Sequence, residues 1–176
     1  MGTITLRKIS ITELDTDAVV NAANEGLWAG SGVCGAIFRA AGYDRLQSAC
    51  DKIGHCDTGS AVITPGFDLK ARHIIHAVGP RWTDGAHGEP ELLYAAYRSA
   101  LTLAAENGCR SVGFPLISAG IFGCPAEVAW RAAIRSCADF IAAGRPLDIV
   151  FAVPGDANLA LGRRVLQELA PRLAAE

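Results

Sequence analysis

Short apolar runs alternate with amphipathic stretches along the whole chain. The runs Thr3–Leu6, Asp17–Ala22, Ser60–Thr64, His73–Val78, Ser111–Pro115 and Asp148–Val153 have the length and period of β-strands. The last four are apolar enough to predict central strands covered on both faces. Between them, Leu93, Ala96, Tyr97, Ala100, Leu101 and Ala104 form one stripe of a helix over 91–107, ended by Gly108 as a left-handed cap. Val128, Ala132, Ile134 and Phe140 mark a helix over 126–143, started by Pro125 and stopped by Gly144. A last helix is predicted over 157–174, bent or interrupted by Gly162 and Pro171. The stretch Arg81–Pro90, rich in Gly, Asp and His, reads as an exposed loop. Strands and helices in alternation define an α/β layered domain, and residues 1–176 read as one such domain.

Composition narrows the chemistry. With 51% hydrophobic residues over 176 positions the chain can bury a sizeable core, and with only 7% aromatic residues that core is mainly aliphatic. A net charge of −2, from 16 basic and 18 acidic residues, disfavours a protein that holds nucleic acid by bulk attraction. Any anionic ligand has to be held locally. The start, MGTITLRKIS, lacks a signal-peptide pattern, and no run approaches the ~20 apolar residues of a membrane span. A soluble, cytoplasmic protein with no membrane partner is expected. The six cysteines, at 34, 50, 56, 109, 124 and 137, include no Cys-x-x-Cys pair and no His at zinc-finger spacing. They read as free buried thiols in a reducing compartment, with no metal site and no resident cofactor.

Two glycine loops carry the candidate chemistry. Gly30, Gly32 and Gly35 satisfy G-x-G-x-x-G, but a polar and aromatic link separates them from the apolar run that ends at Val20. In a dinucleotide fold that fingerprint follows directly on its strand, so an NAD-binding Rossmann-type enzyme is the weaker reading. The physics survives without the motif. Glycines let several backbone N–H groups face one anion, and a helix beginning near Val33 adds its positive end. The segment Ser118, Ala119, Gly120, Ile121, Phe122, Gly123 repeats the plan, leaving a buried strand and entering the helix after Pro125. Neither 26–38 nor 113–124 contains a Lys or Arg, so an anion here would be bound by amides and helix ends.

Asn24 stands just past a strand and before the first loop, where its amide can donate to and accept from a sugar hydroxyl, or satisfy a turn instead. Cys34, in the first turn of a helix, is a candidate nucleophile, but the four histidines at 55, 73, 76 and 87 are all remote in sequence and none is an evident base.

At these residues the chain resembles the macrodomain family, and within it the bacterial stand-alone MacroD-like branch. The resemblance rests on ordered blocks: Asp17-Ala-Val-Val-Asn-Ala-Ala-Asn24, Gly30-Ser-Gly-Val-Cys-Gly-Ala-Ile37, Ala40-Ala-Gly42, Cys56 to Thr64, His73-Ile-Ile-His-Ala-Val-Gly-Pro80 and Phe114 to Pro125. It implies a three-layer α/β/α fold with a mixed sheet of about six strands and a cleft for ADP-ribose. It implies that Gly30, Ser31, Gly32 and Val33, with Ser118 to Gly123, enclose the diphosphate and distal ribose, and that Asn24 contacts that ribose. Phe122 keeps an aromatic face where relatives often carry Tyr.

Three departures bear on function. Relatives have Gly-Asp-Ile-Thr where this chain reads Ile9-Ser10-Ile11-Thr12, so Ser10 and Ile11 would meet adenine without a carboxylate. Active hydrolases of the family have Val-Asp-Gly where this chain has Val33-Cys34-Gly35, and His where it has Phe38. The resemblance therefore implies binding of ADP-ribose or an ADP-ribosylated protein. Hydrolysis of modified protein or of O-acetyl-ADP-ribose would depend on Asn24 and Cys34, and a non-catalytic reader is the alternative.

Overall fold

The computed structural model describes residues 2–175. Six strands form one sheet: β1 (Thr3–Arg7), β2 (Ala18–Ala23), β3 (Ala61–Pro65), β4 (His73–Val78), β5 (Ser111–Phe114) and β6 (Asp148–Ala152). Their order is β1-β6-β5-β2-β4-β3, with every pairing parallel except β3 against β4. The helices are α1 (Gly32–Ala41), α2 (Tyr43–Ile53), α3 (Glu89–Glu106), α4 (Ala126–Ala142) and α5 (Asp156–Leu169).

Adjacent residues on the strands serve opposite layers, because side chains alternate across a sheet. On one face Val20, Ile75, Phe114 and Phe151 pack under α3, α4 and α5. On the other Val19, Ile74 and Val78 pack under α1 and α2. This is the three-layer α/β/α arrangement with a mixed six-stranded sheet that the blocks imply. The helices that follow β2 and β5 lie on opposite faces of two neighbouring strands. Such a switch leaves a crevice at the carboxyl ends of the strands.

Four expectations change. Ser60–Thr64 does not yield a central strand: β3 is the antiparallel edge and its residues are mostly half-buried, whereas β2 is buried on both faces. The helix α2 has no counterpart among the predicted elements, although Tyr43, Leu46, Cys50 and Ile53 recur at helical spacing between Gly42 and Gly54. Gly162 does not bend the last helix. A Cβ there would lie 2.5 Å from Leu6 Cδ2 and 2.7 Å from the Trp130 ring, so glycine lets α5 press against β1 and α4. Pro171 starts a separate 3₁₀ turn (Pro171–Leu173) after α5 has ended. Finally, the loop after β4 ends at Gly88, since Glu89 opens α3 and is itself buried.

Candidate functional site

A cleft of about 420 Å³ opens at the carboxyl ends of β2, β5 and β6. It is lined by Asn24, Gly30, Ser31, Gly32, Val33 and Cys34 on one side and by Ser118, Ala119, Gly120, Ile121 and Phe122 on the other. The two glycine loops, more than eighty residues apart in sequence, thus face one another.

Each wall has a local cause. Gly32 begins α1 with φ +58, a backbone that L side chains resist. Ser31, the residue before α1, makes no side-chain capping bond. Most of the first-turn amides of α1 are therefore left without a protein acceptor among the described residues. The opposite wall is held from behind. Ser118, itself at φ +67, donates its hydroxyl to the Pro80 carbonyl at 2.9 Å, and the Trp82 N–H donates to the Phe122 carbonyl at 2.7 Å. Gly79 is the contact point between the two segments, where a Cβ would lie 2.3 Å from Ser118 Oγ and 2.5 Å from Ile117.

Beneath the first loop runs a buried polar chain. The Asn21 amide nitrogen lies 3.1 Å from His76 Nδ1 and 3.6 Å from Cys34 Sγ. His76 Nε2 lies 3.0 Å from the Thr64 hydroxyl, which donates to the Pro65 carbonyl at 3.2 Å. These contacts fit a neutral imidazole with its proton on Nε2, and burial pushes the His76 pKa down to about 4. The Gly30 N–H also points at Cys34 Sγ, at 3.4 Å. The sulfur is thus an acceptor of two N–H groups, one from each side. Burial pushes the Cys50 thiol, next to His76, up to about 12, and Cys56 and Cys124 up to about 11. All six cysteines are free and buried.

Beside the cleft, the loop 81–88 closes on Glu89. Its carboxylate accepts N–H groups from Thr83, Asp84, Gly85 and His87 at 2.6–3.1 Å. Burial alone would raise this carboxyl, but the amides outweigh it and hold the pKa at about 2.

Most of the residues singled out from sequence meet in this cleft. Ser10, Ile11 and Gly123 are not among its lining. The Ser10 hydroxyl is turned toward Thr12, accepting its N–H at 3.4 Å at the start of the 3₁₀ turn Ile11–Glu13, and Ile11 is packed in the core beside α1. The lining also includes Gly79, Pro115, Ile117, Ala152, Val153, Pro154 and Asn158, which the sequence did not single out. Their shared signal is position, since several of them directly follow the apolar runs of β4, β5 and β6.

A model of the Macro domain family matches residues 20–133, and the chain belongs to this family. A macro domain-containing protein of Chlorobaculum tepidum is 46% identical over 160 residues, covering 90% of this chain and 92% of that protein. A protein of Escherichia fergusonii named O-acetyl-ADP-ribose deacetylase is 45% identical over 163 residues, with the same 90% and 92% coverage. The solved Oceanobacillus iheyensis macrodomain with ADP matches at a TM-score of 0.88 and 34% identity, over 93% of this chain and 89% of that one. A variant of it has been solved with ADP-ribose. Two further variants replace an asparagine and an aspartate by alanine, ten positions apart, which is the spacing of Asn24 and Cys34 here.

Proposed function

We propose that the cleft binds ADP-ribose, free or attached to a protein. One observation carries the reading: two lysine- and arginine-free glycine loops face each other across a crevice, and the first turn of α1 has no side-chain cap. A diphosphate held by amides explains how a net acidic chain binds an anion. In this reading Asn24 and Phe122 meet the distal ribose, Pro154 and Asn158 border the adenine end, and Ser10 and Ile11 approach only the outer edge of the base. The whole chain acts as one macrodomain, and its buried free thiols suit the cytoplasm.

Turnover at this site is slow. Water attacks the anomeric carbon of the distal ribose, the bond from that carbon to the side-chain oxygen breaks with its electron pair leaving on the side-chain carboxylate, and the proton of the water passes to a phosphate oxygen or to solvent. With O-acetyl-ADP-ribose the same water attacks the acetyl carbon, and the ribose oxygen leaves and takes up the proton. An aspartate would orient that water as a strong acceptor, whereas Cys34 offers a weak one already engaged by Gly30 and Asn21. Loss of such a group typically costs about 10²–10⁴-fold in rate. The same occupied sulfur favours a second reading, a reader that binds ADP-ribose without cleaving anything.

Calorimetric titration with ADP-ribose and NAD, run beside a turnover assay on an ADP-ribosylated protein and on O-acetyl-ADP-ribose, tests both. Tighter binding of ADP-ribose than NAD with slow product release supports the enzyme. Binding with no release over hours selects the reader. Tight NAD binding with no ADP-ribose binding overturns the cleft assignment in favour of a dinucleotide enzyme.

A further inference from the structure

The cleft contains no cation, but one stands immediately outside it. The Arg81 guanidinium lies over the Phe122 ring, 4.7 Å from its centroid. Phe122 lines the cleft and Arg81 does not, so the charge sits on the outer side of the wall. Its position is set by the backbone on both sides: the Pro80 carbonyl is held by Ser118 and the Trp82 N–H by Phe122. Beyond Trp82 the chain is anchored again by the amides of 83–87 on the Glu89 carboxylate. Among the described residues no carboxylate pairs with Arg81; the Lys and Arg side chains that do pair are Lys8, Arg45, Arg72, Arg131 and Arg164. Next to Phe122, Ile121 forms the lip of the cleft and is 82% exposed, the most exposed large apolar residue described.

Free ADP-ribose filling the cleft would leave the Arg81 guanidinium, which is outside the lining, without a partner. An unpaired guanidinium stacked on the outer wall, with an exposed apolar lip beside it, faces whatever extends out of the cleft from the distal ribose. That is the polypeptide to which the ribose is attached. We propose that Arg81 reads this polypeptide, pairing with carboxylates that flank the modified residue while Ile121 takes an apolar contact from the same segment. The inference rests on the ADP-ribose reading of the cleft and deepens it: the substrate class is ADP-ribosylated protein modified within acidic sequence. Cation–π stacking on Phe122 leaves the guanidinium edge free for a carboxylate, so both contacts are made at once.

The test uses three probes: a peptide with one ADP-ribose on a non-hydrolysable link and glutamates at the flanking positions, the same peptide with glutamines there, and free ADP-ribose. Each is titrated calorimetrically against wild type, Arg81→Ala, Arg81→Lys and Arg81→Glu. Wild type is expected to bind the glutamate peptide about tenfold tighter than the glutamine peptide, a difference of about 1.4 kcal/mol, and this preference should shrink as salt is raised. Arg81→Lys keeps most of the preference, Arg81→Ala erases it and Arg81→Glu reverses it, while free ADP-ribose binds all four proteins within about twofold. Equal binding of the two peptides by wild type overturns the proposal. So does a loss of free ADP-ribose affinity in Arg81→Ala as large as the loss for the glutamate peptide, since Arg81 would then only support Phe122. Failure of wild type to bind free ADP-ribose is a different result, and it removes the cleft reading together with this one.

Discussion

The side chain of Asn24 clasps the backbone of Trp28 in both directions, its amide nitrogen donating to the Trp28 carbonyl at 2.9 Å and its oxygen accepting the Trp28 N–H at 3.1 Å. The turn and the sugar-binding roles that Asn can play are therefore not exclusive here. One N–H and one lone pair of the same amide remain for a ligand. Asn24→Ala should remove both roles, lowering ADP-ribose affinity at least tenfold, abolishing turnover and destabilising the fold by about 1–2 kcal/mol. Calorimetry and urea unfolding on one preparation measure the two losses. Full affinity retained in Asn24→Ala would take Asn24 out of the site.

Replacing the weak acceptor at position 34 provides the sharpest kinetic test. In Cys34→Asp the carboxylate would take the Gly30 and Asn21 N–H groups that now point at sulfur and still present a lone pair to water. Turnover of ADP-ribosylated protein should rise by about 10²–10⁴-fold, with ADP-ribose affinity nearly unchanged. An unchanged rate would discard the water-attack geometry and leave the reader.

Two buried groups make stability fall with acid in successive, slightly overlapping windows. His76 is neutral when folded, with its pKa lowered from 6.5 to about 4, so the unfolded chain binds the extra proton first. Its contribution is complete above pH 6.5 and is lost as pH falls toward 4, by a few kcal/mol in total. Glu89, lowered from 4.5 to about 2, adds a second loss between those two values. Urea titrations from pH 7 to pH 3 should show the first window flattened in His76→Gln and the second flattened in Glu89→Gln. Amide exchange at 83–87 should quicken only in Glu89→Gln.

Gly79 sits where the segment after β4 meets the far wall of the cleft. The Cβ of Gly79→Ala would come 2.3 Å from Ser118 Oγ and 2.5 Å from Ile117, so the wall must move. Affinity for ADP-ribose should fall by about tenfold or more, because misplaced donors lose most of their bonds steeply with distance and angle. By contrast, Gly155→Ala, outside the cleft lining and at a φ of −104 open to any residue, meets nothing within 4 Å and should bind as wild type does. Equal affinities for the two variants would show that the wall tolerates the displacement.

Much of this arrangement is legible in the chain, and the failures have definable causes. The strands could be read because their apolar runs are long and their flanks polar, and the glycine loops because so few residues tolerate such backbones. Whether a strand is an edge is a property of its neighbours, so Ser60–Thr64 carries no mark of lying beside β4 alone. The role of Glu89 was hidden because a carboxylate in a Gly- and Asp-rich stretch looks solvated until four amides turn inward upon it. His76 seemed remote from Cys34, yet the register of β2 on β4 sets Asn21 opposite His76. That pairing carries the imidazole to the floor beneath α1. Tyr43 to Ile53, finally, has few apolar residues and only Leu46 and Cys50 buried, so its stripe is thin.

In the proposed binding mode the walls of the cleft hold ADP-ribose mainly with main-chain groups, and that has an evolutionary consequence. A backbone amide cannot be mutated away by exchanging one side chain for another, so loops that keep their glycines retain their grip while surrounding positions drift. In the proposed mechanism reactivity, by contrast, hangs on the single atom type presented at position 34. On that proposal a lineage could lose or regain hydrolysis by one substitution without first losing its ligand, which would make reader and enzyme neighbouring states of one scaffold.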